Sequence, residues 1–349
     1  MPRIAVDELR RTCSRIFTGA GLQQGEADQI AWSLVQANLM GHDSHGVIRI
    51  VQYIKALQGG RVQPGKALKI IRQADASAVV DGGWGFGQTV CHQAMQLAVE
   101  KARARSVGVV ELFNSSHIGR LGEYVEWAAE QGFIGICMCN NHGGGQLQPA
   151  FGGIDAKMSP NPLAVGIPTG KGFPIVVDMT SSVVAEGKIR VKRNQGEALP
   201  DGWIIDAEGK PSNDPDKFYG PPHGAILPFG GVAAHKGYAL AVVVDVLSGA
   251  LGGSGCSGRS SQGGGNGVFI MALDIGAFTG PELFEEEIDH FIDHLKASRL
   301  LPGFDGISLP GEIEQRLRLQ RQADGVDVDE ETWRQIGATA EAVGVALAE

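Results

Sequence analysis

Val107-Gly108-Val109-Val110-Glu111-Leu112-Phe113 is an apolar run of strand length, and Asn114-Ser115-Ser116-His117-Ile118-Gly119-Arg120 follows it as a polar turn. Beyond the turn, Leu121, Tyr124, Val125, Ala128 and Ala129 recur at helical spacing until Gly132 stops the pattern. The stretch therefore predicts a strand-to-helix turn, with Ser115 or Ser116 placed to cap the helix. His117 falls at the carboxyl end of a strand and the amino end of a helix, where small molecules bind in α/β folds. The positive end of that helix should favour a neutral imidazole, suited to carrying a proton near neutral pH. The turn by itself is equally compatible with a surface histidine in a loop.

The chain around this turn has 349 residues, with 43% hydrophobic and 20% charged side chains, a composition of soluble globular proteins. That length suits one large or two ordinary domains. A formal net charge of −9 argues against nucleic acid or an anionic membrane as the main partner. The 51 glycines are scattered at turns rather than periodic, so many tight loops are expected and no fibrous repeat. Cys13, Cys91, Cys137, Cys139 and Cys256 form an odd set without a Cys-x-x-Cys pair, as expected in a reducing compartment. Cys137 and Cys139 share one face of an apolar strand, a core position. No signal peptide is visible at the N-terminus, and Tyr238–Leu251, interrupted by Asp245, reads as too short to cross a bilayer. A cytoplasmic protein is the expectation.

In chain order, helices are expected near Val6–Thr18, Glu26–Met40 and Gly46–Leu57. Strands and helices then alternate: Ala76–Asp81, Gly87–Arg105 (helix), Gly108–Phe113, Arg120–Gln131 (helix), Phe133–Cys139, Leu163–Ile167 and Ile175–Asp178. Residues 193–235 read as long irregular loops, Lys236–Leu251 as a buried helix, Gly252–Gly267 as a mobile loop and Val268–Asp274 as a strand. Helices return near Pro281–Arg299, Gly311–Ala323 and Glu330–Ala348. The simplest architecture is a helical domain from residues 1–75 and 280–349 around an α/β domain of residues 76–279.

Several motif matches fail on context. Gly253-Ser254-Gly255-Cys256-Ser257-Gly258 spells the dinucleotide fingerprint but follows a helix instead of joining a strand to one. Gly60 to Gly65-Lys66 resembles a phosphate loop, yet Ala67 stands where a magnesium-binding hydroxyl belongs. His290 and His294 lack the metalloprotease glutamate and read as a solvated face. There is no Gly-x-Ser-x-Gly elbow.

Four other clusters can carry chemistry. Gly41-His42-Asp43-Ser44-His45-Gly46 joins two helices, and Arg49 and Tyr53 follow His45 at helical spacing, so the three should share one face. A guanidinium there could clasp a carboxylate, with Ser44, His45 and Tyr53 adding donors; the bland alternative is a polar patch at a domain junction. Asn140-Asn141-His142-Gly143-Gly144-Gly145 ends a strand and could bring bare amides to a pyrophosphate, or be simply a flexible turn. Asp178-Met179-Thr180-Ser181-Ser182 ends another strand with a carboxylate and hydroxyls. His235-Lys236-Gly237-Tyr238 opens a helix where Lys236 can meet phosphate.

Taken in order, these segments resemble the malate/L-lactate dehydrogenase family, which is distinct from the Rossmann lactate and malate dehydrogenases. The resemblance covers nearly the whole chain through Gly41–Gly46, Asp81-Gly82 with Gly87-Gln88, Asn114–Gly119, Gly152-Gly153, Asn161-Pro162 and Asp178–Ser181. It continues through Gly187-Lys188, Leu199-Pro200 with Gly202-Trp203, Lys236-Gly237-Tyr238 and Leu309-Pro310-Gly311-Glu312, and is nearest to the broad hydroxycarboxylate dehydrogenases. It implies a non-Rossmann α/β cofactor domain, NAD or NADP as cofactor, a 2-hydroxy or 2-oxo carboxylic acid as substrate, and a homodimer. On the same grounds His117 is the expected acid/base and Ser44, His45, Arg49 and Tyr53 the substrate-side residues. Cofactor contacts are expected from Asn141, His142, Asp178, Met179, Thr180, His235, Lys236, Gly311 and Glu312. Many relatives carry serine where Asn141 stands, and the Gly143–Gly145 insertion bears on the shape of the pocket. Within the family, substrates extend to ureidoglycolate, diketogulonate and cyclic imino acids. Readings from other classes are a metal-assisted hydrolase or lyase built on His42, His45, His117 and His142, and a catalytically silent binding protein.

Overall fold

A computed structural model of the protein describes residues 2–142, 144–259 and 265–347. The fold is mixed α/β, as the alternation of patterns predicts. The first part of the chain contains β1 (Arg3–Ile4), α1 (Val6–Gly19), α2 (Gln24–Leu39), α3 (Ile50–Gln58), β2 (Lys69–Gln73), β3 (Ser77–Asp81), α4 (Gly87–Arg105) and β4 (Val107–Ser115). Next come α5 (Gly122–Glu130), β5 (Phe133–Asn140), β6 (Gln148–Pro149), β7 (Ala156–Met158), β8 (Pro162–Ile167), β9 (Ile175–Thr180) and α6 (Glu186–Gln195). After them are β10 (Ile204–Ile205), β11 (Pro211–Ser212), α7 (Pro215–Tyr219), β12 (Ala225–Ile226), α8 (Ala234–Asp245) and β13 (Asn266–Asp274). The last elements are α9 (Pro281–Lys296), α10 (Glu312–Asp324), β14 (Val326–Asp327) and α11 (Glu330–Ala342).

Seven strands form the central sheet in the order β2-β3-β4-β13-β5-β8-β9. Only β3 and β4 run parallel; every other neighbouring pair is antiparallel. The register sets Asp81 opposite Phe113, Asn266 opposite Ser115, Gly267 opposite Asn140 and Pro162 opposite Thr180. The carboxyl ends of β3, β4, β5 and β9 and the amino ends of β8 and β13 therefore meet at one end of the sheet. The three chemistry-bearing turns that follow β4, β5 and β9 emerge there.

Helices α4 and α5 cover one face, where Ala94, Ala98, Tyr124 and Val125 pack on Val110, Leu112, Cys137 and Ile270. Gly108 permits this closeness, since a Cβ there would come 1.9 Å from the Ala98 carbonyl oxygen. A second core joins α1, α2 and α3 to α11 through Leu9, Phe17, Ile30, Leu34, Ile50 and Ile336. The α9 helix buries Ile292 against Ile175 of β9 and Leu309.

Four sequence expectations need correction. Residues 193–235 are not irregular: β10, β11 and β12 form a small sheet that with α6 and α7 encloses Ile189, Leu199, Ile204 and Phe218. Gly46–Leu57 is not one helix: short 3₁₀ turns at Asp43–His45 and Val47–Arg49 precede α3. Gly46 lies so close to Asn38 that a Cβ would meet its amide oxygen at 2.1 Å, and that oxygen accepts the Val47 N–H. The Arg120–Gln131 helix starts at Gly122. Lastly, the helical run containing α8 extends over Gly231–Leu251, 21 residues that include an 18-residue window of mean hydropathy 1.2, so it has the length of a membrane crossing. It is also not fully buried, because Val243 and Val246 are about half exposed at 47% and 48%. In the Gly252–Gly267 tract, residues 260–264 lie outside the described residues, as do Gly143 of the Asn140–Gly145 turn and Ala348 of the last helix.

Glu111 alternates with Val110 and Leu112 and so points to the other sheet face, toward Gly252. It is only 3% exposed, and neither carboxyl oxygen has a hydrogen-bond partner. Burial pushes its pKa from 4.5 up to about 8. The unfolded chain thus releases this proton first, and stability falls as pH rises from the ordinary carboxyl range to about 8. At about 1.4 kcal/mol per pH decade the loss is at most about 5 kcal/mol. Glu111→Gln should therefore gain stability over the parent above about pH 8 but not near pH 5, as measured by urea unfolding. An equal difference at both pH values would contradict the assignment.

Candidate active site

His117 is held from two sides. Its carbonyl lies against the start of α4, where a Cβ on Gly87 would come 2.3 Å from the His117 oxygen. Ser116 Oγ accepts the Gly87 N–H at 2.8 Å, so this serine caps α4 and not the helix that follows it. The first N–H of α5, from Gly122, is instead taken by Asp178 Oδ2 at 2.8 Å. Because α5 begins five residues after His117, its dipole is not what keeps the imidazole neutral.

Burial does that, with help from Arg49 and His45. Together they hold the His117 pKa well below its usual 6.5. Burial and Arg49 likewise lower His45 to about 4, with Asp178 opposing. The two imidazoles stack with ring centroids 5.5 Å apart and planes 16° from parallel. Tyr53 Oη lies 2.7 Å from His117 Nδ1, leaving Nε2 as the ring atom available to a substrate. Gln88 Nε2 donates to the same hydroxyl at 2.7 Å. Ser44 Oγ lies 3.0 Å from His45 Nδ1.

Arg49 completes the cluster. Its Nε donates to the Ser44 carbonyl and its Nη1 to Gln52 Oε1, both at 2.6 Å. Among the described residues no carboxylate forms an ion pair with it. Arg120 is the opposite case: it is buried but paired with Glu126, and its Nε lies 3.5 Å from Asp178. Gly187, opening α6, would place a Cβ 3.0 Å from Ser44 Cβ, so the small sheet subdomain borders this cluster.

The structure thus brings together His117, Ser44, His45, Arg49 and Tyr53. The shared face inferred for a continuous helix is instead made by two 3₁₀ turns leading into α3. His42 belongs to the same surroundings, since its pKa is lowered by burial while Asp178 opposes and Arg120 adds to the lowering.

Of the other expected residues, Asn141, His142, Met179 and Thr180 lie further along the same sheet end, whereas Gly311 and Glu312 sit beside Val176 near the opposite, amino end of β9. His142 is 8% exposed, tilts against Trp84 at 5.4 Å between centroids, and has no hydrogen-bond partner on either ring nitrogen. Trp84, Asn114 and His142 all have left-handed backbones, with φ of 59°, 52° and 41°, a concentration of strain usual at functional sites. Asn141 opens a turn whose carbonyl accepts the Gly144 N–H at 2.7 Å. Asp178, Met179 and Thr180 lie on edge strand β9, and Thr180 Oγ1 donates to the Pro160 carbonyl at 2.9 Å. His235 and Lys236 are exposed on the first turn of α8, with His235 5.8 Å from the Phe151 ring. Gly311 packs on Val176 of β9, while Glu312 accepts the Leu309 N–H at 2.9 Å and pairs with Lys296 within its own neighbourhood.

The sequence did not single out Gln88, Arg120 or Asn266 for a role. Gln88 stood within the Gly87-Gln88 motif without a role, and Arg120 closed the opening turn. Asn266 was hidden at the end of a glycine-serine tract. Its Oδ1 accepts the Ile118 N–H at 3.0 Å and its Nδ2 donates to the Asn140 carbonyl at 2.9 Å, tying the His117 and His142 turns together.

The sequence pattern describing malate/L-lactate dehydrogenases matches residues 4–337. A malate dehydrogenase of Pyrococcus abyssi is 36% identical over 356 aligned positions, covering 98% of this chain and 95% of the relative. Hydroxycarboxylate dehydrogenase B of Escherichia coli is 34% identical, with 98% and 95% covered. The solved malate dehydrogenase of Entamoeba histolytica superimposes with a TM-score of 0.94 at 27% identity, covering 100% of this chain and 99% of that one. The chain belongs to the malate/L-lactate dehydrogenase family and is a dehydrogenase of hydroxy acids.

Asn266→Ala would leave the Ile118 N–H without its partner and the Asn140 carbonyl with only a weak bond from Cys139 Sγ at 3.4 Å. It should lower unfolding free energy by about 2–4 kcal/mol. A loss below about 0.5 kcal/mol in urea unfolding would show that the two turns do not depend on it.

Proposed function

We propose that the protein interconverts a 2-hydroxy and a 2-oxo carboxylate, with Arg49 binding the carboxylate and His117 moving the hydroxyl proton. The supporting observation is the Arg49 guanidinium, whose hydrogen bonds go to a carbonyl and an amide, which has no carboxylate partner among the described residues, and which acts electrostatically on the His117 ring. The substrate's carboxylate would supply the missing partner, and Ser44, His45 and Tyr53 would orient it. His117 Nε2 takes the hydroxyl proton during oxidation and returns it during reduction. Binding the anion offsets the Arg49 charge and raises the proton affinity of His117 at the moment it is used.

NAD or NADP supplies the hydride acceptor or donor when bound. The buried, unpartnered ring nitrogens of His142, Oδ1 of Asn161 and Oγ of Ser181 offer polar atoms suited to such a dinucleotide at the same sheet end. Asn141, Asp178, Met179, Thr180, His235, Lys236 and the Gly311-Glu312 turn are its further contacts in this reading. The five free cysteines support a reducing, cytoplasmic setting.

His117→Ala should lower kcat about 10²–10⁴-fold while leaving the protein folded. Arg49→Gln should raise the KM of the acid roughly 10- to 100-fold, the loss of one charge-assisted contact. It should also shift the acid limb of oxidation kcat/KM to higher pH, since one cause of the low His117 pKa is gone. Normal turnover in His117→Ala at saturating substrate, over a panel of 2-hydroxy acids and cyclic imino acids with either cofactor, would overturn the assignment.

We also propose a homodimer that covers the exposed apolar side of the Gly231–Leu251 run, where Val243, Val246 and Leu251 protrude. Sedimentation equilibrium should give twice 36.8 kDa without detergent, and Val246→Asp should shift the mass toward a single chain. A parent that stays at one chain mass at micromolar concentration would exclude it.

A further inference from the structure

Tyr53 stands between His117 and Gln88, and its hydroxyl carries one proton for two neighbours. Gln88 is wholly buried at the start of α4, its Nε2 2.7 Å from Tyr53 Oη and its Oε1 without a partner. With the NH₂ end donating to Tyr53, the hydroxyl proton points to His117 Nδ1. The neutral ring then carries its own proton on Nε2, where it cannot accept one from a substrate. With the carboxamide turned over, its carbonyl accepts the hydroxyl proton and Tyr53 Oη accepts from Nδ1–H. Nε2 is then left with a free lone pair. The imidazolium requires this second arrangement as well, because both of its nitrogens donate. Heavy-atom positions are alike in the two arrangements, and Gly119 leaves the amide uncrowded, since a Cβ there would stand 3.2 Å from Gln88 Nε2.

We propose that the Gln88 carboxamide is a positioning residue that sets, through Tyr53, which ring nitrogen of His117 carries the proton, and that catalysis uses the orientation in which its carbonyl faces Tyr53. This rests on the reading of His117 as the proton carrier. The other groups facing the pair are Arg49 and His45 toward His117, and Arg49 and Glu123 toward Tyr53. Arg49 can only donate and an ionised Glu123 only accept, while the hydrogen bond of His45 is to Ser44 and not to the Tyr53 hydroxyl. Gln88 can do either, because an amide presents a donor at one end and an acceptor at the other.

Two substitutions and one measurement on the parent test this. Gln88→Met keeps the volume without the hydrogen bond, and should lower kcat about tenfold with the KM of the acid within about twofold. Gln88→Glu offers an acceptor, should recover most of kcat, and should move the acid limb of oxidation to higher pH. In ¹⁵N spectra of the free parent, the neutral His117 ring should be protonated on Nε2, and in Gln88→Glu on Nδ1. Equal kcat in Gln88→Met and the parent, or equal losses in both variants with an unmoved acid limb, would overturn the proposal. So would a parent ring protonated on Nδ1 while the Gln88 NH₂ still donates to Tyr53, a measurement that needs no variant to fold. Normal turnover in His117→Ala would instead remove the proton-carrier reading itself.

Discussion

Asn266 holds together what the chain order keeps apart. The strand it opens, β13, inserts antiparallel between β4 and β5, so the two turns after those strands cannot bond to each other directly. They face one another across two strand spacings, roughly 10 Å. The Asn266 side chain spans part of that gap with one donor and one acceptor, binding Ile118 on one side and Asn140 on the other. The bridge continues outward through neighbouring side chains. Asn140 Nδ2 and Asn161 Nδ2 both donate to Asp245 Oδ1, and the Ser257 N–H reaches Asp245 Oδ2. Four strand ends are thus fixed relative to one another by side-chain amides converging on one buried carboxylate. A buried polar network of this kind holds the strand ends in place where backbone ladders have ended, with Asn161 Oδ1 left without a partner.

Within that frame, charge balance separates structural from reactive groups. Arg120 and Arg49 are both withdrawn from water, yet only Arg120 is neutralised, by Glu126 and Asp178. Breaking up such a buried pair would leave an uncompensated charge, which explains why Asp178 is anchored at the amino end of α5. Arg49 has only neutral acceptors, a carbonyl and an amide. Its field falls on the stacked His45 and His117, and both are kept neutral by burial first and by this cation second. A neutral imidazole beside an unbalanced cation is ready to accept a proton only after an anion arrives. On the proposed assignment, substrate binding and proton transfer would be coupled through one guanidinium.

Long periodic elements were legible in the sequence because their patterns are local. The helix read at Gly87–Arg105 has those bounds in the structure, and Phe133–Cys139 falls one residue short of β5. The two-residue strands β10, β11 and β12 were not legible, since two residues carry no alternation to detect. The insertion of β13 between β4 and β5 was equally hidden. Strand order is a property of long-range pairing, and each strand reads the same whichever neighbour it takes.

The site divides along the same line. Residue types and turn positions were enough to nominate His117, Ser44, His45, Arg49 and Tyr53, but the reasons behind the nomination were partly different from those that operate. A helix dipole was expected to neutralise His117, whereas α5 starts too late and burial beside Arg49 has that effect. Helical spacing was expected to align His45, Arg49 and Tyr53, whereas Gly46 and Asn38 break the helix into 3₁₀ turns that still deliver them to one place. Local sequence can mark which side chains have chemistry to offer. It cannot reveal which backbone atom a neighbour blocks, and Gly87 shows why: its missing Cβ matters only because the His117 carbonyl, thirty residues on, lies where that atom would be.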